Sequence, residues 1–386
     1  MYFRNKNILI ISPEEWGINY LSKNHYAIEL IKIKNKVVFL NPPKRKLINY
    51  EINKNVNLDN LLIINCPFSY RGINRIPYKV RKLFQLKESK KLLKFLGTKF
   101  DVVWSFDPFR FQDLGVFQAN LNIYHPVDVH KSKVERNIAN SADVILATSD
   151  KILEKIDPLN TPKFKINHGL AEHFVQYNGS IMNSENKNPN EIPKNDKIKV
   201  GYVGNLLYKY LDVKILRTII KENQKVDFYF IGPYQISNLM TEERNIDFIK
   251  FLKESKNVHL MGSKPSNDLP SYLYQFDILL LCYTGDRNVA EMANPHKLLE
   301  YLSSGKTVIC HYIDEYNNKR DLVEMVDDNK LMPRRFTTII ENLQFYNTPD
   351  KSKMRIKYAT ENSYSRQMKK INKIIKRLNF ENINIR

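Results

Sequence analysis

The sequence predicts an α/β protein of two doubly wound domains in tandem, and three observations carry that reading. Short apolar, β-branched runs recur with helix-length stretches between them, the alternation expected of a parallel sheet covered by helices. A polar stretch at 177–197, YNGSIMNSENKNPNEIPKNDK, interrupts the alternation, which then restarts. The chain has 386 residues, 42% of them hydrophobic, enough to bury two cores.

Taken in order, strands are expected at 8–11, 37–40, 61–64, 102–105, 122–125, 144–147 and 164–167 in the first half. In the second half they are expected at 198–203, 226–231, 257–261, 278–281 and 307–310. The boundaries follow: a first domain over 1–180, a linker over 181–197, and a second domain over 198–362. A helical tail over 363–386 is expected to pack back on the first domain. No internal repeat of 20 to 50 residues and no sustained heptad is present.

Composition narrows the class. Cys66, Cys282 and Cys310 lack CxxC spacing, so neither a disulfide framework nor a zinc ribbon is supported, and a reducing cytoplasm is expected. The run at 8–11 has strand length rather than signal-peptide length, and no 18 apolar residues run together, so the protein is expected to be soluble or peripheral on the inner membrane face. Lysine and arginine outnumber acids by 61 to 41, a formal charge of +20, which attracts nucleic acid, anionic lipid or acidic small molecules alike. Two basic stretches are dense, 79–94 (KVRKLFQLKESKKLLK) and 366–377 (RQMKKINKIIKR); each reads either as a solvated helix face or as a helix lying on an anionic membrane.

The most informative segment is 294–310, NPHKLLEYLSSGKTVIC. Asn294 suits an N-cap and Pro295 the first helical position; Leu298, Leu299 and Leu302 form a core stripe, and Gly305 suits the helix end before a buried strand. The helix start, with His296 and Lys297 beside it, offers N–H groups and positive charge to a diphosphate. Glu300 lies one turn on, about 6 Å along the axis, where a carboxylate accepts hydrogen bonds from ribose hydroxyls. The same features also describe an ordinary capped helix with a solvated glutamate.

This segment resembles the nucleotide-binding signature of GT-B glycosyltransferases, in particular the group 1 or family 4-like set, with its N-P-x-K-L-x-E-Y-L-x-x-G-K-x-V pattern. The resemblance implies two Rossmann-like domains facing across a cleft, with the glutamate on the donor ribose and the helix start on the diphosphate. One departure stands out: the acid that retaining members carry eight positions before Glu300 is replaced by Met292, with Glu291 adjacent, so the stereochemical outcome stays open.

Other segments extend the likeness. KVGYVGNLLYKYLD at 199–212 resembles the first strand and turn of the donor domain, which places Gly204 and Asn205 against the diphosphate or sugar, with Lys209 as a phosphate partner or a plain surface lysine. FIGP at 230–233 is similar to the family's F-x-G-P strand end, and 257–277 resembles its N-V-x-x-x-G run, with Gly262 opening a loop near the base. In the first domain, loops after strands make Glu14, Glu15 and Trp16 candidates for acceptor contact, although Trp16 is equally read as a packed loop aromatic. NIYHPVDVH sets His125, Asp128 and His130 after a strand, and KINHGL sets His168 and Gly169 after another. For an inverting reaction the base is expected to be Asp128 or His125, with Asp107 competing.

SSGKTV is not a phosphate loop, because the glycine required five positions before Gly305 is Glu300 and the order is helix, loop, strand. The histidines form no HExxH or close Cys/His pairing, and no essential metal or cofactor is expected. The sequence is therefore expected to belong to a glycosyltransferase taking a sugar from a UDP- or GDP-type donor to a saccharide or lipid-linked saccharide, for surface polysaccharide or glycolipid synthesis. Two alternatives stay open: a nucleotide-sugar epimerase of the same fold, and a basic nucleic-acid-binding protein, for which no recognition motif is present and no specific nucleic acid is expected.

Overall fold

The computed structural model describes residues 1–386 apart from 18–19, 55, 57, 69–71, 129–134, 157–159, 182–190, 236–242, 286–293 and 384–386. The chain divides into two compact units, Met1–His168 with Tyr364–Arg386, and Gly169–Ser363.

The strands of the first unit are β1 (Asn7–Ile11), β2 (Lys36–Lys44), β3 (Glu51–Ile52), β4 (Leu61–Pro67), β5 (Val102–Ser105), β6 (Leu121–Tyr124), β7 (Val144–Ala147) and β8 (Lys163–Lys165). Their order in the sheet is β3-β4-β2-β1-β5-β6-β7-β8, parallel except for β3. The apolar runs without polar alternation are explained by burial of both faces: Ile8 and Ile10 join a core with Phe39, Trp104 and Ile123, while Leu9 and Ile11 join a second core with Leu40, Val103 and Ile145. The helices of this unit begin with α1 (Ser22–Lys32), α2 (Tyr78–Leu96), α3 (Glu135–Ser141) and α4 (Asp150–Lys155).

The second unit holds β9 (Lys199–Val203), β10 (Asp227–Ile231), β11 (Val258–Gly262), β12 (Ile278–Leu281), β13 (Thr307–Cys310) and β14 (Glu324–Met325), in the order β11-β10-β9-β12-β13-β14 and all parallel. Its helices are α5 (Glu172–Ile181), α6 (Val213–Glu222), α7 (Glu243–Glu254), α8 (Leu269–Leu273), α9 (Lys297–Ser303), α10 (Met332–Glu341), α11 (Leu343–Tyr346) and α12 (Pro349–Glu361). The strand order reverses between β9 and β12, and in open parallel sheets the crevice beyond the strand ends at such a switch is where ligands bind.

The boundaries differ from those expected. The division falls after His168 rather than near 180, because Leu170, Ala171 and Phe174 bury in the core of the second unit and the Leu170 amide donates to the Asn362 carbonyl at 2.8 Å. The stretch read as a linker is packed where it is described: Ile192 is buried in that same core, and Glu191 accepts from the Tyr272 hydroxyl at 2.9 Å. Its middle, 182–190, lies outside the described residues. The two-residue edge strands β3 and β14 left no apolar run in the sequence to find.

The last helix, α13 (Tyr364–Ile383), belongs to the first unit. Met368, Ile371 and Ile375 lie in the core that holds Ile8 and Trp104, Tyr364 stacks on His25 at 4.5 Å, and the Asn372 amide oxygen accepts from the Tyr2 amide at 2.7 Å. Ile371 is fully buried. Ile371→Ala is expected to destabilise the first unit by about 2–5 kcal/mol. Hydrogen exchange in urea, which reports each unit separately, should show lost protection in residues 1–168 and little change in 169–363.

Candidate functional site

At the switch point of the second unit the chain leaves β9 through Gly204 and β12 through Cys282 and Tyr283. Gly204 donates its amide to the Ile231 carbonyl at 2.8 Å, and Gly232 donates to the Gly262 carbonyl at 2.9 Å, so three glycines knit the ends of β9, β10 and β11 backbone to backbone. Gly232 (φ 146°) has no alternative, because a methyl group there would overlap the Gly204 carbonyl oxygen. Its position follows from the FIGP run, but its contact with Gly204 was not legible in the sequence.

Two buried side chains, Tyr301 and Arg355, hold helix α9 and the turn after it. The buried Tyr301 hydroxyl accepts from the Val203 amide at 2.7 Å and donates to the Val203 carbonyl at 3.4 Å, tying the helix to the last residue of β9. Beyond the far end, Gly305 (φ 73°) turns the chain, and its carbonyl accepts from the fully buried Arg355 at 3.2 Å. Arg355 also donates to Tyr346 and Leu322 carbonyls, and burial lowers its pKa to about 10. The helix begins later than the Asn294–Pro295 reading: it is assigned from Lys297, with His296 as its flanking residue and no side-chain cap from it. The preceding turn is already closed by Leu298 donating to the Pro295 carbonyl at 3.0 Å, so the difference is one of the first turn's hydrogen-bond type. Asn294 is buried and Pro295 half-buried beside it.

Lys297 reaches back from this turn to the end of β9. Its ammonium donates to the Tyr283 hydroxyl at 3.2 Å and lies 5.9 Å from the ring centroids of both Tyr202 and Tyr283. A side chain at Gly204 would overlap that ammonium and the Tyr202 phenol, so the glycine is what leaves room for the lysine. Glu300, one turn on, keeps 20% of its side-chain surface, with His296 4.0 Å away and largely exposed. Burial among protein atoms pushes its carboxyl up to about 7, against the opposing pull of the Lys297 charge.

The sequence left several neighbours unremarked. Asn329 donates to Asp212 at 2.7 Å and to the Tyr283 carbonyl at 2.6 Å, clamping the segment after β12, while Asp212 caps α6. His311 donates its amide to the Leu281 carbonyl, and its Nδ1 accepts from the Tyr283 amide at 3.3 Å; burial lowers it to about 4, so it is neutral at physiological pH. The other expected residues are more peripheral. Asn205 is exposed and accepts from the Leu207 amide at 2.9 Å, Lys209 covers the Tyr210 ring at 4.7 Å, and Gly262 (φ 68°) ends β11, two strands out from β9. Near Gly262, the Lys264 ammonium is held by Glu191 at 2.5 Å. Glu291 and Met292, where the departure from the signature falls, lie outside the described residues, as does His130.

In the first unit, His125 and Asp128 follow β6, as expected. His125 is buried against Trp104 and Phe106, accepts from Trp104 Nε1 at 3.3 Å, and is lowered to about 3, chiefly by burial. With Nδ1 accepting, Nε2 carries the proton, so the ring is a neutral donor rather than a proton acceptor. Asp128 is exposed. Trp16 is a core residue, edge-on to Phe39 at 4.9 Å, and Glu15 pairs with Lys44 at 2.8 Å. Asp107 is buried and accepts from the Phe109 amide at 2.7 Å. Sequence reasoning missed Lys23, which is buried, paired with Glu14, and lowered to about 8 by burial against the pull of Asp128 and Asp107. Its position in the first turn of a helix that buries its neighbours Asn24 and Tyr26 is the only signal the sequence carried.

No protein-family model matches the chain, and no curated protein sequence matches it. Solved structures do, at low sequence identity. Sucrose-phosphate synthase from Thermosynechococcus elongatus is 12% identical, with a TM-score of 0.67 over 96% of this chain and 99% of that one. Anabaena HepE in complex with UDP-glucose is 11% identical, with a TM-score of 0.63 over 96% and 99%. An alpha,alpha-trehalose-phosphate synthase (UDP-forming) from Burkholderia xenovorans, in complex with glucose-6-phosphate, is 12% identical, with a TM-score of 0.65 over 97% and 100%. The chain therefore has the GT-B glycosyltransferase fold over nearly its whole length.

The anchoring of α9 is testable without a ligand. Tyr301→Phe leaves the buried Val203 amide without its 2.7 Å acceptor, and is expected to cost about 1–3 kcal/mol in urea unfolding of the second unit. An unchanged midpoint would show that α9 is held without this bond.

Proposed function

We propose that the protein is a glycosyltransferase whose second unit binds a nucleoside diphosphate sugar and whose first unit carries the acceptor. The observation that carries this reading is Lys297 held over Gly204 at the switch point of the second sheet, with Glu300 one turn further along the same helix. The ammonium contacts two aromatic rings and a phenol and forms no ion pair among the described residues, so its charge is available to a diphosphate. As the bond to the transferred sugar breaks, negative charge grows on the diphosphate oxygens, and a fixed cation there lowers the barrier. Gly204 lets the backbone approach the same group, and Glu300 accepts from the ribose hydroxyls.

The finer assignment rests on the neighbours and on the charge. UDP-glucose in HepE and the UDP-forming synthase support a UDP-type donor, and glucose-6-phosphate in the latter supports a saccharide acceptor. Asp128 is the proposed base for an inverting reaction, with His125 as a neutral donor to the acceptor, and Glu15 lies on a loop at the same end of the first sheet. We place the acceptor among lipid-linked saccharides of surface polysaccharide or glycolipid synthesis, with the protein peripheral on the inner membrane face and no essential metal. Among the described residues no helix is long and apolar enough to cross a membrane.

The test is thermal stabilisation by UDP, GDP, CMP, ADP and dTDP, with and without magnesium. One diphosphate is expected to stabilise the protein by about 2.7 kcal/mol at a hundredfold excess over its dissociation constant, and Glu300→Ala to reduce that shift. No shift from any nucleotide would sink the donor reading, and turnover of the sugar nucleotide without an acceptor would replace transfer by epimerisation.

The raised Glu300 carboxyl adds a pH signature. Ribose hydroxyls bond more strongly to the ionised form, so affinity is expected to rise through about pH 7 and level off above it, a step absent from Glu300→Gln. Because the folded pKa exceeds the unfolded one, Glu300 lowers the stability of the free protein progressively as pH rises from the unfolded value of 4.5 to about 7. Glu300→Gln should therefore melt higher than the parent above pH 7 while binding nucleotide more weakly.

A further inference from the structure

The two basic stretches of the sequence have different surroundings. In α13 the apolar side chains Met368, Ile371 and Ile375 are buried, and the exposed positions include Lys369, Lys370 and Lys373, as in any amphipathic surface helix. Helix α2 buries polar as well as apolar side chains and leaves part of its apolar surface outside. Four of its five buried side chains, Arg81, Gln85, Glu88 and Ser89, are polar: Glu88 pairs with Arg110 at 3.0 Å, Gln85 accepts from the Gln112 amide at 3.1 Å, and Ser89 donates to the Val116 carbonyl at 3.0 Å.

Leu86, Leu92, Leu93 and Leu96 pack on the core of this unit, but other large apolar side chains of the helix stay outside. Val80, Leu83 and Phe95 are 44%, 66% and 44% exposed. Between them stand Lys79, Lys87, Lys90, Lys91 and Lys94, none of which forms an ion pair among the described residues; Lys82 pairs with Asp113. At 3.6 residues per turn, Leu83, Lys87, Lys90 and Lys94 fall on one line along the helix, and Val80, Lys91 and Phe95 on the next. A second segment continues the face. The Tyr50 ring packs 5.6 Å from Phe95 and its hydroxyl donates to the Glu88 carbonyl at 3.5 Å, and the turn before it exposes Arg45, Lys46 and Ile48, the last at 88%. The acids of these two segments are Glu88, turned inward onto Arg110, and Glu51, in β3.

We infer that this face docks on an anionic lipid bilayer, with Leu83, Phe95 and Ile48 entering the headgroup layer and the lysines meeting lipid phosphates. Charge complementarity selects the occupant, since the outward charges of α2 are all positive. Exposed aliphatic side chains among them gain free energy only where an apolar layer lies beneath the charged one, which a bilayer supplies and a nucleic acid backbone does not. The inference rests on the peripheral placement proposed above and narrows it to one helix and its adjoining turn.

The experiment is sedimentation of the full chain with phosphatidylcholine vesicles, with and without phosphatidylglycerol. Binding is expected only with phosphatidylglycerol. Lys87→Gln, Lys90→Gln and Lys94→Gln should each weaken it by about fivefold, and the charge-neutral pair Leu83→Ser and Phe95→Ser by roughly tenfold or more. Lys369→Gln, Lys370→Gln and Lys373→Gln in α13 should leave it nearly unchanged. Failure of the parent protein to bind phosphatidylglycerol vesicles would overturn the proposal. So would equal losses from the α13 and α2 lysines with none from the serine pair, which would mean diffuse charge, or an oligonucleotide that competes the vesicles off the α2 face. Nucleotide-induced stabilisation of the same variants reports the donor reading separately, so failure of one is distinguishable from failure of the other.

Discussion

The position of a seven-residue helix is the constraint on which the candidate site depends. Alone, a helix of that length is unstable in water, and it persists here because tertiary bonds hold it. Tyr301 ties it to the last residue of β9, and Arg355, buried and spending its donors on three carbonyls, holds the turn that follows it. Lys297, in the first turn of this helix, lies over Gly204, where any side chain would overlap its ammonium.

The electrostatics follow from that placement. Lys297 meets aromatic faces and a phenol, while Glu300 sits close enough to protein atoms to be half protonated near neutral pH. The charge of Lys297 draws the Glu300 proton off, burial holds it on, and burial wins. The first unit shows the opposite arrangement. Lys23 is already paired with Glu14, and His125 is neutral with its Nδ1 occupied, so that end is internally satisfied.

Helices α2 and α13 show why charge patterns alone do not assign a surface. Both have lysines at helical spacing between apolar residues, and in sequence they permit the same two readings. The partner that each helix face meets decides between them: α13 fills a gap against Trp104 and Ile8 with its isoleucines, whereas α2 sets Glu88 and Gln85 on Arg110 and Gln112 and four leucines on an apolar core, and leaves Val80, Leu83 and Phe95 outside.

Much of the fold was legible in the sequence because parallel strands buried on both faces leave unbroken apolar runs, and four of those runs, 102–105, 144–147, 278–281 and 307–310, coincide residue for residue with strands. The short edges β3 and β14 and the boundary at His168 were not, since they depend on pairing and burial between segments far apart in the chain. Of the site, the sequence by itself determined the helix with Lys297 and Glu300 and the glycine turn after β9, because spacing along one helix and the need for a missing side chain are local properties. Tertiary structure alone decided that Tyr301 and Arg355 fix that helix, that Trp16 is core, that Lys23 is buried, and which of two basic helices leaves large apolar side chains exposed. Each of these rests on contacts across tens to hundreds of residues, and a burial energy has no value until the chain supplies the partner that excludes the water.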